Sequence, residues 1–427
     1  MTIRGRAALA AGSAARWASR VTGRGAGAMI GGLVAMTLDK SILGQLGAGR
    51  RTVVVTGTNG KSTTTRMTAA ALATLGQVAT NAEGANMDAG LVSALALSPD
   101  AALAALEVDE MHVPHVSDAV HPAVIVLLNL SRDQLDRVGE INHIERTLRA
   151  GLARHPDAVV VANCDDVLMT SAAYDCPHVV WVAAGGGWAN DSVSCPRSGE
   201  VIVRDGSDWY STGSDFKRPT PQWWFDEVNL YGPDSLTLPM RLSLPGKVNR
   251  GNAAQAVAAA VALGADPAAA VAAVSTVDEV AGRYQTVPMG EHTVRILLAK
   301  NPAGWQEALS MVDKSADGVV IAVNGQVPDG EDLSWLWDVD FERFGDELLE
   351  RRASGNGVPV VAAGERGTDL AVRLGYARVP HTLVHNTIDA IISCPKGHVE
   401  VVANYTAFLQ LTRTLGRMNP AGRRSDG

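Results

Sequence analysis

The chain has 427 residues, too many for one ordinary core, so two or three domains follow from length alone. Apolar residues make up 46% and charged residues 19%, which excludes a disordered chain. The net charge of −8 excludes a broad nucleic-acid surface, because neutralising phosphates needs clustered Lys and Arg; a small anionic substrate in a local site stays compatible.

In chain order, residues 1–36 are rich in Ala and Gly, with Arg4, Arg6, Arg16, Arg20 and Arg24 interspersed. The arginines interrupt every early apolar run, which argues against a secretory signal, and GAMIGGLVAM is too short to span a bilayer. A basic, helical leader over 1–48 is expected, packed on the body as a solvated helix; the alternative is a weak attraction to anionic lipid. VVV at 53–55 predicts a buried strand, and Lys61 to Leu75 a helix closed by Gly76. Further strands are expected over 101–110, 123–130 and 157–163, the middle one near-continuously apolar as a central parallel strand should be. The pattern predicts a doubly wound α/β sheet whose ligands sit at the carboxyl ends of its strands.

Residues 182–235 change to Gly, Ser, Asp and Trp, which predicts an inserted, strand-poor subdomain. Four cysteines, Cys164, Cys176, Cys195 and Cys394, are too scattered for a disulfide framework, and no C-x-x-C pair is present. A reducing compartment is the simplest reading. After Gly282-Arg283 the strands TVRILLA, GVVIAVNG, VPVVAAG and HVEVVAN predict a second α/β unit, Rossmann-like, over 287–427, so that 49–286 form the first.

The segment TGTNGKSTTTR, Thr56 to Arg66, sits between a strand and a helix. In that setting Gly57, Thr58, Asn59, Gly60, Lys61, Ser62 and Thr63 would aim backbone N–H groups and a helix dipole at a phosphate. Lys61 would reach the β- and γ-phosphates of a nucleotide and Ser62 would offer a hydroxyl to Mg²⁺. The first glycine of the usual phosphate loop is absent, with Val55 in its place. That predicts a tighter variant of the loop.

TGTNGKSTT resembles the ATP loop of the Mur ligase superfamily, which includes folylpolyglutamate synthetase. NAEGANMDAG, EVDE, NLSRDQLDRVGE, GKVNRGNAAQA and AGRYQ follow in that superfamily's order. AKNPAG, DGEDLSWLWDVDFE and ANYTA extend the resemblance to the MurT branch, the ligase subunits of lipid II isoglutaminyl synthases, over about residues 50–410. Such enzymes phosphorylate a carboxylate with ATP and let an amine attack the acyl phosphate. The resemblance implies Ser62 and Glu107 as Mg²⁺ ligands, with Asp109 as runner-up, and Asn252 as the partner of adenine. Arg283 and Lys300 would serve the acyl phosphate, and Asn81, Glu83 and Asn86 would lie near the γ-phosphate and substrate. Gln134 stands where many relatives carry histidine.

The family draws ammonia from a separate GatD-type glutaminase, and this chain has no Cys–His pair of its own for that step. By resemblance Asp332 would complete the partner's Cys–His pair; as a residue in a Pro-Asp-Gly-rich stretch it also reads as a turn former. MurT proteins often carry a four-cysteine zinc ribbon in the insert. Here only Cys195 remains, with Ser198, Thr212 and Ser214 near the other positions, so no zinc is expected and Trp209, Trp223, Trp224 and Phe225 should fill the subdomain. The stretch before residue 50 leaves no room for the UDP-binding domain usual in Mur ligases, which points to a lipid-linked substrate. The expected activity is amidation of the D-glutamate α-carboxyl in the lipid II stem peptide, at the inner face of the cytoplasmic membrane, with membrane contact through the substrate only. A freestanding amino-acid ligase of the folylpolyglutamate type and a non-catalytic nucleotide-binding scaffold are the rival readings.

Overall fold

In a computed structural model the described residues are 1–21, 28–81, 85–131, 138–186, 192–278, 284–313, 315–329, 332–342, 344–346 and 357–418. They divide into two compact units, one formed by Met1–Ser131 and Val138–Asp278, the other by the chain from Glu279 onward. The division follows Asp278, ahead of the boundary read at 286/287, which falls inside a strand.

Three helices, α1 (Ile3–Val21), α2 (Ala28–Leu38) and α3 (Ile42–Gly47), precede the first strand. The parallel strands of the first sheet are β1 (Arg51–Thr56), β2 (Val78–Thr80), β3 (Leu103–Glu107), β4 (Val124–Leu127), β5 (Val159–Asn163) and β6 (Val179–Val182). Their order is β2-β3-β1-β4-β5-β6, the doubly wound pattern expected from the apolar runs. β1, β3 and β4 are buried along almost their whole length, which is why they read as continuous apolar stretches instead of alternating ones. Helices α4 (Lys61–Leu72), α5 (Asp88–Leu97), α6 (Val113–Val120), α7 (Val138–Leu152) and α8 (Val167–Ala173) connect them. α4 stops at Leu72, one turn short of the expected Leu75.

The insert is richer in strands than its composition suggests. A hairpin of β7 (Ile202–Asp205) and β8 (Asp208–Ser211) is followed by a three-stranded sheet of β9 (Trp224–Phe225), β10 (Asn229–Gly232) and β11 (Leu236–Pro239). Trp209 and Trp223 are buried as expected, but Trp224 is 42% exposed and stacks on Tyr231, and Phe225 is only half-buried. Phe216 does the work instead, packing with Cys195, Ile202 and Trp209 against Val167. The indole of Trp209 donates to the Cys164 carbonyl at 3.0 Å, and Arg218 pairs with Asp165 at 2.7 Å, so the insert is pinned to the end of β5. Two further helices, α9 (Lys247–Ala262) and α10 (Pro267–Ser275), complete the unit.

In the second unit the strands are β12 (Tyr284–Met289), β13 (His292–Leu298), β14 (Gly318–Ala322), β15 (Val360–Ala363), β16 (Thr382–Leu383) and β17 (Gly397–Ala403), ordered β12-β13-β17-β14-β15-β16. β12 is the antiparallel edge and the other pairs are parallel. Helices α11 (Pro302–Ser310), α12 (Gly367–Tyr376), α13 (Thr387–Ser393) and α14 (Tyr405–Met418) flank the sheet, and Trp305, Trp335 and Phe341 fill the core on one side. Arg295 and Glu400 are register partners on β13 and β17. The fully buried Glu400 takes 3.0 and 2.8 Å contacts from that guanidinium and lies 2.6 Å from His398 Nε2. Asp313, His398 and Glu400 come within 4.8 Å of one another, but Arg295 already engages both oxygens of Glu400, so the group is an ion-pair network and not a cation cage.

α2 can lie against α5 only because residue 32 is glycine: a Cβ there would stand 1.8 Å from the Ala89 carbonyl oxygen. Gly32→Ala is expected to destabilise the first unit by about 1–3 kcal/mol, read as a lower midpoint of thermal unfolding. Gly375→Ala, on α12 with open space around it, should be neutral or stabilising. Equal midpoints for the two variants would sink the packing argument.

Candidate nucleotide-binding and ligase site

β1 is followed at once by the loop Gly57–Gly60, because Val55 remains inside the strand, fully buried and paired with Glu107 of β3. That accounts for the missing first glycine: the strand runs further and the loop is shorter. Gly57 has φ 145°, and a Cβ on it would meet Leu128 Cβ at 2.8 Å and the Asn129 amide nitrogen at 3.0 Å. Gly60 caps α4 in the left-handed region at φ 82°, where a side chain is strained. A Cβ at Gly60 would also stand 2.9 Å from Asn252 Oδ1.

Asn129, just past β4, clamps the loop. Its side chain accepts from the Asn59 N–H at 2.9 Å and donates to the Asn59 carbonyl at 3.0 Å. Its own carbonyl accepts from the Thr58 N–H at 2.9 Å. Thr58 Oγ1 donates to the Ser131 carbonyl at 3.1 Å and accepts from the Ser131 N–H at 3.0 Å. The loop is thereby fixed from outside, and its first helical turn, with Lys61, Ser62 and Thr63, opens α4 at the carboxyl edge of the sheet.

Lys61 is nearly buried. Its ammonium donates to the Gly57 carbonyl at 2.5 Å and the Thr58 carbonyl at 3.3 Å, and pairs with Glu110 at 3.1 Å. Glu110 had no role in the sequence reading; the doubled acids of EVDE were the available signal. Glu107, at the end of β3, is 2% exposed, and its Oε2 has no hydrogen-bond partner. A buried carboxylate oxygen left unpaired is costly unless a cation meets it, so Glu107 together with Ser62 fits a Mg²⁺ ion beside a nucleotide phosphate. Asp109 instead accepts from the Met111 N–H at 3.1 Å, in a turn beyond the strand.

Asn252 lies on α9, buried against Gly60, with its Nδ2 donating to Asn249 Oδ1 at 3.3 Å. α9 begins at Gly246-Lys247, so neither Asn249 nor Asn252 caps it. Gly251 lets the helix come close, since a Cβ there would be 2.0 Å from the Ala184 carbonyl oxygen. Asn81 uses its amide as a surrogate strand residue: it donates to the Glu107 carbonyl at 2.8 Å and to the Ala85 carbonyl at 2.9 Å, and accepts from the Glu107 N–H at 2.8 Å. Asn86 touches the same region through its carbonyl, which accepts from the Asp109 N–H at 3.3 Å. The first unit therefore brings the whole loop together with Glu107, Asn81, Asn86 and Asn252. Glu83, Gln134 and Arg283 lie outside the described residues.

The second unit has its own cluster at the carboxyl edge. Lys300, after β13, places its ammonium 5.1 Å from the centre of the Tyr405 ring. Asn404 and Asn324 hold each other, Asn404 Oδ1 accepting from the Asn324 N–H at 3.0 Å and Asn404 Nδ2 donating to the Asn324 carbonyl at 2.7 Å. Asp329 accepts from the Thr406 N–H at 2.9 Å and from its hydroxyl, which ties the DGED stretch to ANYTA. Asp332 is exposed and accepts from the Ser334 N–H at 2.8 Å and the Ser334 hydroxyl at 3.0 Å. These bonds, the backbone one foremost, hold its carboxyl below the usual range.

In the insert, Cys195 meets Ser198 and Ser211, whose hydroxyls lie 3.3 Å apart, while Thr212 and Ser214 are exposed. Ser211, not Thr212, is the residue that stands beside the cysteine. Burial pushes the Cys195 thiol up, but hydrogen bonds from Ser198, from the Arg197 and Ser198 amides and from Ser211 outweigh it and bring it below its ordinary value.

A Walker-like loop on a doubly wound sheet, followed by a second α/β unit, defines a Mur-type ligase, and the model for the Mur ligase middle domain matches residues 55–260. The model described as MurT ligase C-terminal matches residues 298–408. It is 28% identical to the lipid II isoglutaminyl synthase (glutamine-hydrolyzing) subunit MurT of Streptococcus pneumoniae, over 92% of this chain and 93% of that one. The protein of the same name from Staphylococcus aureus is also 28% identical, over 96% of this chain and 97% of its own. Among solved structures, a pseudomurein peptide ligase type C from Methanothermus fervidus superposes with a TM-score of 0.65 at 18% identity, covering 89% of this chain and 81% of that one. MurF from Acinetobacter baumannii gives 0.65 at 18% identity, over 90% and 80%. These last two establish the fold.

Two substitutions separate the roles of the acids. Glu107→Gln is expected to raise the Mg²⁺ concentration needed for ATP binding about tenfold or more, with little change in Mg²⁺-free ADP binding. Glu110→Gln, by releasing Lys61, should tighten Mg²⁺-free ADP binding severalfold. Isothermal titration with and without Mg²⁺ checks both, and an unchanged Mg²⁺ requirement in Glu107→Gln removes that residue from the metal site.

Proposed function

We propose that this chain is the ligase subunit of a lipid II isoglutaminyl synthase, which amidates the α-carboxyl of D-glutamate in the lipid II stem peptide. What supports this most is the match along 92–96% of the chain to two proteins of that name, joined to a complete phosphate loop with a buried, unpaired carboxylate oxygen beside it. The terminal phosphoryl group of ATP passes to a carboxylate oxygen, and ADP leaves. Ammonia then attacks the acyl carbon, phosphate departs with that oxygen, and a proton is released to give D-isoglutamine.

The residues divide the work by charge. Lys61 exchanges its contacts with Glu110 and two carbonyls for the β- and γ-phosphates. Mg²⁺, when bound, neutralises phosphate charge, and Ser62 and Glu107 would hold it. Asn252 pairs with adenine. Arg283 and Lys300 stabilise the acyl phosphate. Zinc has no place in this scheme, because Cys195 is accompanied by hydroxyls, which are poor Zn²⁺ ligands beside thiolate.

Ammonia comes from a GatD-type glutaminase, a partner implied by the word subunit in the relatives' names. Asp332 completes that partner's Cys–His pair. Its two bonds to Ser334 turn the carboxylate into a fixed orientation and leave lone pairs open to solvent, so the turn-forming and the partner-facing roles coexist. Work takes place at the inner face of the cytoplasmic membrane. Among the described residues no helix is long and apolar enough to cross it.

The deciding experiment is co-purification with a glutaminase, then mass analysis of the stem peptide after incubation with glutamine and ATP. A loss of about one mass unit, hydroxyl replaced by amino, is the expected result. Lys61→Ala should lower the rate at least about a hundredfold, whichever nitrogen source is supplied. Asp332→Asn should lose glutamine-driven amidation and keep the reaction fed by ammonium salts; failure of ammonium to restore it removes Asp332 from the partner's site.

A further inference from the structure

α1 and α2 form an antiparallel hairpin. Arg4 Nε donates to the Leu38 carbonyl at 2.7 Å, and midway along, Gly12 and Gly31 touch, a Cβ on Gly12 standing 2.5 Å from the Gly31 carbonyl oxygen. The inward residues are small: Gly5, Ala8 and Gly12 on α1, Gly31, Gly32 and Ala35 on α2. The outward residues are not those of a solvated helix. Ile3 is 88% exposed, Trp17 69% and Leu33 61%, and Met29, Ile30 and Leu38 are exposed beside them. α2 has no charged residue at all.

Charge separates this segment from the rest of the chain. Residues 1–38 contain five arginines and no acid, so they carry +5 in a chain of −8, and the remainder carries −13. Exposed apolar side chains, on helices that also expose Arg4 and Arg6 and belong to a segment of net charge +5, match an anionic bilayer surface: the apolar groups enter the headgroup boundary and the basic segment is drawn to lipid phosphates. We propose that the outer face of the α1–α2 hairpin docks the protein on anionic phospholipid, in place of contact through the substrate alone.

The hairpin is also rigidly placed. Gly32 of α2 lies against Ala89 at the start of α5, directly after the Asn81–Asn86 segment. A membrane-seated hairpin would therefore hold Ala89, and with it the start of α5, at a fixed depth beside the lipid headgroups. That a lipid-borne substrate is presented there rests on the function proposed above; the docking itself rests on the surface.

The test uses the full chain and vesicles without lipid II. Flotation with equimolar phosphatidylglycerol and phosphatidylcholine should carry the protein up, at least about tenfold better than phosphatidylcholine alone, since each basic residue near an anionic surface contributes about fivefold. High salt should reduce it. Arg6→Glu, and separately Trp17→Glu with Leu33→Glu, should each lower the bound fraction at least about tenfold while ADP binding is retained, which reports on folding of the first unit. No binding, equal binding to both vesicle types, or binding unchanged in both variants overturns the docking surface. So does a lipid-free dimer that the Trp17→Glu, Leu33→Glu variant dissolves, because the face then belongs to a second copy. None of these results bears on amidation, and absent amidation with intact vesicle binding would overturn only the function proposed above.

Discussion

A phosphate loop must offer some backbone N–H groups to an anion, so the rest of its polar groups have to be held in place from outside. Here the restraint comes from the next strand. Asn129 takes both the donor and the acceptor of Asn59 and, through its carbonyl, the N–H of Thr58. With those groups occupied, the loop's shape is set before any ligand arrives, which lowers the ordering cost of binding. Gly57 is required because Leu128 and Asn129 come so near, and Gly60 because the chain must turn through the left-handed region and pass Asn252. Loop, strand end and α9 are one mutually fitted object.

Charge is arranged around that object with the same economy. Lys61 is held by two carbonyls and one carboxylate, the contacts that phosphate oxygens would replace under the function proposed above. Glu107 stands apart, with one oxygen unpaired. One acid thus steadies a cation already in the chain, and its neighbour three residues away is left in want of one. Strand geometry separates them, since Glu107 ends β3 while Glu110 lies beyond it.

The first sheet was legible because its central strands are buried on both faces, so the apolar runs at 53–55, 123–130 and 157–163 carry little ambiguity. The loop was legible because Gly-Lys-Ser between strand and helix has few other uses. The insert was not: β7 to β11 are two to four residues each, too short for a period to show, and Phe216 reads as a loop residue until Trp209 and Cys195 are seen around it. Glu110 and Asn129 were hidden for another reason. Their partners are 49 and 70 positions away, and only the parallel order β3-β1-β4 brings them together.

The pair Arg295–Glu400 joins two neighbouring strands at one level of the second sheet, with the carboxylate fully buried and the guanidinium half-buried. Deleting the arginine leaves the buried carboxylate with His398 alone, whereas deleting the glutamate leaves a half-buried guanidinium that still donates to the Met311 carbonyl; the first step is the costlier, on the order of 3–5 kcal/mol where a buried charge is stranded. A double replacement by apolar residues need not cost as much. The two residues, 105 positions apart in the chain, therefore act on stability as one unit.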